Sequence, residues 1–115
     1  IAVAAREIAE TTALKAICCF TTSGTTAYLV ARERPRVPVI ALTPSRTTAR
    51  TLSLVWGLHC FQTGHVNEFK EAVGEAVRAA KEDGFAEKGE TIVVTAGIPF
   101  NQAGSTNIIR VAEVD

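Results

Sequence analysis

Five of the six residues Thr21, Thr22, Ser23, Gly24, Thr25 and Thr26 carry hydroxyls. A hydroxyl both donates and accepts, and it rotates to match the oxygens of a bound oxyanion. Gly24 lets the backbone come close to a ligand. If a helix starts there, its first amides and the positive end of its dipole add to the attraction for negative charge. One hydroxyl, from Ser23 or Thr22, would suffice to cap such a helix; five exceed what a cap needs. The segment reads as an oxyanion-binding turn, with simple capping as the plainer alternative.

A second segment, residues 96–107, is rich in Gly, Pro and Asn. Loops of this length in compact domains are often functional. If the strand before it lies beside the strand before the hydroxyl turn, then Gly97, Gly104, Ser105 and Thr106 can close over a ligand held by that turn. The alternative is a long hairpin connection shaped by Gly and Pro. Arg46 opens the helix after the second apolar run and is a possible anion contact; a lone helical Arg is also ordinary solvated surface. His59 and His65 lack the carboxylate and serine neighbours of a catalytic constellation, and no nucleophile is paired with a base. There is no GxxxxGK[ST] and no GxGxxG. No catalytic residue and no metal site is assigned; His59 beside Cys60 is the sole hint of metal ligation, and further close ligands are wanting.

Composition bounds the rest. At 115 residues the chain has the size of a single domain, residues 1–115, with 47% hydrophobic and 21% charged residues. Twelve basic residues balance twelve acidic ones, so no net field draws it to nucleic acid or to an anionic membrane. No apolar run approaches the roughly 18 residues of a membrane span. Cys18, Cys19 and Cys60 are odd in number, and neighbours on a strand point to opposite faces, which disfavours a Cys18–Cys19 bridge. Free thiols point to a reducing compartment, the cytoplasm. The chain has no methionine, and residues 1–14 read as helical from the outset without a capping residue. It is expected to be a fragment of a longer polypeptide.

Apolar runs at residues 16–22, 37–43 and 91–95, with a weaker one at 57–63, alternate with helical patterns at 24–34, 45–55 and 67–83. The first three runs are continuous and rich in β-branched residues, as befits central strands covered on both faces. Pro35 ends one helix, Ser45 caps another, and Gly84 follows the third, whose apolar stripe is Phe69, Val73, Ala76, Val77 and Ala80. Trp56 is expected in the core or an interface, and the run Arg32, Arg34, Arg36 at a helix end offsets its dipole. A final run at 108–114 follows a loop without a helix and should be antiparallel to its neighbour. The fold expected is a three-layer α/β domain: a five-stranded, mostly parallel sheet, helices on both faces, last strand antiparallel.

Residues 21–58 (TTSGTTAYLVARERPRVPVIALTPSRTTARTLSLVWGL) and 89–114 (GETIVVTAGIPFNQAGSTNIIRVAEV) resemble the C-terminal α/β domain of pyruvate kinase, bacterial type. The combination is specific: the hydroxyl turn, Arg-Pro at 34–35, Ala-x-Thr at 41–43, Trp-Gly at 56–57 and GSTN at 104–107. The resemblance implies a glycolytic, cytoplasmic homotetramer transferring a phosphoryl group from phosphoenolpyruvate to ADP. It implies Mg and K in a catalytic barrel domain of the same polypeptide and no cofactor in this one. It also implies that Thr21 to Thr26 hold an allosteric effector's phosphate and that residues 97–106 cover it. The bisphosphate-regulated animal pattern has Lys and Arg at the positions of Thr22 and Thr25, and a Trp and an Arg in a longer segment where residues 62–68 stand here. Lacking these, the chain is expected to take a sugar or nucleotide monophosphate, or to keep a vestigial site in a purely structural interface domain. A stand-alone phosphate-ligand module is the third possibility.

Overall fold

The three β-branched runs bury both faces because each becomes an interior strand. A computed structural model of the protein describes residues 1–97 and 107–115. Along the chain come α1 (Ala2–Thr11), β1 (Leu14–Phe20), α2 (Thr25–Arg32), β2 (Val39–Thr43), α3 (Arg46–Leu52), β3 (Leu58–Gln62), α4 (Phe69–Glu82), β4 (Thr91–Ala96) and β5 (Ile108–Glu113). The sheet order is β3-β2-β1-β4-β5. β1 pairs in parallel with β2 and β4, β2 with β3, and β5 runs antiparallel to β4. The three interior strands are almost wholly buried, whereas the outer strands β3 and β5 keep exposed positions.

Side-chain alternation along β1 divides the core in two. Ala16, Cys18 and Phe20 join Ile40, Leu42, Ile92 and Val94 beneath α4. Ile17 and Cys19 join Val39, Ala41 and Val93 beneath α1, α2 and Leu52 of α3. Helices therefore cover both faces, giving the expected three layers. The α4 stripe is richer in alanine than the sequence pattern indicates: Ala72 and Ala79 are buried beside Ala76, Val77 and Ala80, while Phe69 and Val73 are half-buried. Small side chains at those positions bring the helix close to the sheet.

The element ends differ from the sequence reading where turn chemistry intervenes. α1 stops at Thr11, because Thr12 turns extended so that Leu14 can enter the sheet. α2 begins after Gly24 and ends two residues before Arg34, whose φ is 52°. The α4 terminus matches expectation. Gly84 (φ 76°) donates to Lys81 O and Phe85 donates to Ala80 O, the paired bonds of a Schellman cap. Trp56 is not a core residue: it stands 72% exposed on the turn between α3 and β3.

Candidate anion-binding site

The strand order places the hydroxyl turn. From β1 the chain winds outward through β2 to β3, and then returns by α4 to β4 on the other side of β1. The reversal falls between β1 and β4, whose ends are in register at Cys19 and Thr95. Open α/β sheets hold ligands in the crevice outside the carboxyl ends of their strands at such a switch point. The hydroxyl turn leaves β1 there, and Gly97 leaves β4 beside it. Gly97 is half-buried at the rim; Gly104, Ser105 and Thr106 lie outside the described residues.

Within the turn the hydroxyls divide their work. Thr21 continues the ladder by one bond, donating its amide to Leu42 O at 3.0 Å. Its Oγ1 accepts the Gly24 amide at 2.8 Å and closes the turn. Gly24 takes φ 95° as the N-cap of α2 and supplies no side-chain cap. Neither Ser23 nor Thr22 caps the helix, so simple capping does not account for them. Ser23 Oγ and Thr25 Oγ1 are exposed and lie 3.1 Å apart, a hydroxyl pair at the mouth of the helix. Thr22 is exposed and Thr26 half-buried. Clustered hydroxyls over the positive end of a helix dipole suit an anion.

Two residues that hold this turn carry no sequence signal. Thr48 Oγ1 donates to Thr22 O at 2.7 Å, tying the turn to the first turn of α3. That turn is fixed in its own right by Ser45, whose Oγ accepts the Thr48 amide at 3.2 Å. Leu52 packs against Gly24 so closely that a Cβ there would lie 3.0 Å from Leu52 Cδ2. Both contacts join separate crossovers and depend on neighbouring helices sharing one face of the sheet, which no local pattern encodes. Arg46 sits beside the turn in sequence topology, but it lines a shallow cleft with Arg50 and Gln62 to which residues 21–26 do not contribute.

The thiols are chemically quiet. Burial pushes the Cys19 thiol up to about 11, with the Thr95 hydroxyl opposing the shift. Burial raises Cys18 further, helped by the neighbouring Cys19, and raises Cys60 as well. All three are free. Among the described residues no group of three or more His, Cys, Asp or Glu gathers around a point that could hold a metal ion, and no helix is long and apolar enough to cross a membrane.

Comparison with known proteins agrees with the fold. A family described as "Pyruvate kinase, alpha/beta domain" matches residues 1–112. A pyruvate kinase of Agrobacterium vitis is 44% identical over 113 residues, 98% of this chain and 24% of that protein. One from Methylorubrum extorquens is 41% identical over 114 residues, 99% of this chain and 24% of that protein. One from Geobacillus stearothermophilus is 42% identical over 96 residues, 84% of this chain and 16% of that protein. The chain thus spans at most about a quarter of the length of these relatives. A match across nearly all of its residues leaves one assignment: the chain belongs to the pyruvate kinase family, as its α/β domain.

Proposed function

We propose that the chain is the regulatory and assembly domain of a cytoplasmic, homotetrameric pyruvate kinase, and that it binds the phosphate of a sugar or nucleotide monophosphate at Thr21 to Thr26. The full enzyme transfers a phosphoryl group from phosphoenolpyruvate to ADP in a barrel domain of the same polypeptide, where its Mg and K ions belong. The observation that carries the reading is the α2 N-terminus. It opens at the switch point of the sheet, its N-cap is a glycine without a side chain, and an exposed Ser23 and Thr25 hydroxyl pair stands over it. Phosphate there meets hydroxyls and amides rather than a Lys or Arg of the turn, so binding is weaker than at a charge-assisted site. That favours one phosphate over two.

The assembly role is supported by β5. It is an outer strand with Val111 50% exposed and its far backbone edge unpaired within the described chain; exposed strand edges recruit further strands. The experiment titrates full-length enzyme activity with a panel of sugar and nucleotide monophosphates, using wild type and Ser23→Glu. A carboxylate at Ser23 repels phosphate and should abolish the response. If wild type responds to no member of the panel, the structural-interface reading replaces effector binding.

A further inference from the structure

We propose that Thr48 is a positioning residue of the phosphate site: by holding the Thr22 carbonyl against α3, it aims the Ser23 amide at the bound phosphate. The inference rests on the reading of Thr21 to Thr26 as a phosphate-binding turn, and it assigns the aim of that turn to a helix outside it.

The amides on either side of Ser23 in the turn are spent. Thr21 donates its amide to Leu42 O at 3.0 Å, and Gly24 donates to Thr21 Oγ1 at 2.8 Å. The Ser23 N–H between them has no acceptor among the described residues. Such an amide in an exposed turn is a donor ready for an anion.

Its direction is set from the other end of the same peptide. In a trans peptide the N–H points opposite to the preceding C=O. Here that carbonyl is Thr22 O, which accepts from Thr48 Oγ1 at 2.7 Å. α3 packs on β2 and β3, whereas β4 lies on the other side of β1. With Thr22 O drawn toward α3, the Ser23 N–H is turned to the β4 side, where the crevice at the switch point opens. Released from Thr48, the same peptide can rotate, and a carbonyl oxygen facing a phosphate repels it.

The pin is itself fixed. Thr48 donates its amide to Ser45 Oγ at 3.2 Å, and Ser45 donates its own to Thr43 Oγ1 at 3.2 Å. Thr43 is fully buried at the end of β2. One helical turn beyond Thr48, Leu52 fills the space beside Gly24. α3 thus grips the turn at residues 22 and 24, on both sides of Ser23. A donor ordered before binding loses little entropy when the ligand arrives, which matters most where no Lys or Arg of the turn assists. Thr22 is exposed, so water can replace Thr48 as donor to its carbonyl at little cost to stability. Losing the bond costs aim rather than fold.

The test is calorimetric titration of full-length wild type, Thr48→Val and Thr48→Ser with inorganic phosphate and with sugar and nucleotide monophosphates. The binding counted is the part that Ser23→Glu removes. Valine keeps the side-chain shape without the hydroxyl, and serine keeps the hydroxyl. Thr48→Val should raise Kd about tenfold, the loss of one hydrogen bond to a charged group, and Thr48→Ser should stay within about twofold of wild type. Thermal midpoints of all three should agree within about 2 °C. Equal affinity of wild type and Thr48→Val overturns the positioning role and leaves the phosphate-binding reading in place. Equal weakening by valine and serine overturns it too, as does a midpoint lowered by several degrees in Thr48→Val, because Thr48 is then a brace of the fold. A wild type that binds none of these probes sinks the phosphate-binding reading itself, and the role of Thr48 with it.

Discussion

Gly24 is the residue on which the turn depends. Its φ of 95° is one that L side chains rarely adopt, and the space beyond its Cα is filled by Leu52. Gly24→Ala is therefore expected to destabilise the domain by about 1–3 kcal/mol and to lower the affinity for a monophosphate with it. Thermal unfolding and a binding titration of the same variant check both effects; an Ala variant as stable as wild type would contradict this account of the turn. At this scale the sequence was legible in part. The hydroxyl count and the glycine marked the place, but not that Thr21 would close the turn and leave Ser23 and Thr25 as the outward pair. Thr48 and Leu52 were invisible, since a hydroxyl and a leucine inside a helix are ordinary until a neighbouring crossover is laid beside them. Arg46 shows the converse: the right end of the right helix, with a side chain lining another cleft.

The helices and strands themselves were easier to read, because periodicity and caps are local. Ser45 caps α3 and Gly84 ends α4 as their residue types indicate. Gly84 differs from Gly24 in that a Cβ added there would meet nothing within 4 Å, so strain alone acts against a side chain. Gly84→Ala should cost about 1 kcal/mol, read as a lower denaturant midpoint with unchanged slope and unaltered effector response; a larger loss would mean that the cap supports more than its own helix. Element ends without such a cap were the illegible part. The 24–34 pattern ends early at Arg32, with Arg34 in the left-handed region ahead of Pro35 and stacked on Trp56. A tryptophan after three apolar residues gave no sign that it would stand in water.

For the whole molecule, the alternation of strands and helices foretold the layers and the antiparallel last strand, and the order β3-β2-β1-β4-β5 set the switch point beside the hydroxyl turn. That juxtaposition depended on β4 returning to the far side of β1, which the sequence posed only as a condition, because local patterns do not encode strand order. The buried thiols add a global prediction. Burial raises Cys19 from about 9 to about 11, so the folded state keeps the proton that the unfolded chain releases. Stability from this group is present below pH 9 and is lost as pH rises toward 11. Alkaline unfolding should begin in that window, and alkylation of the native protein should reach the half-buried Cys60 before Cys18 or Cys19; equal rates for all three would contradict the packing. The central claim is that phosphate binds the α2 mouth. Its most direct test is calorimetric titration of full-length wild type and Ser23→Glu with the monophosphate panel. Saturable binding to wild type that Ser23→Glu abolishes is the predicted result; equal binding by both proteins, or none by wild type, would contradict it.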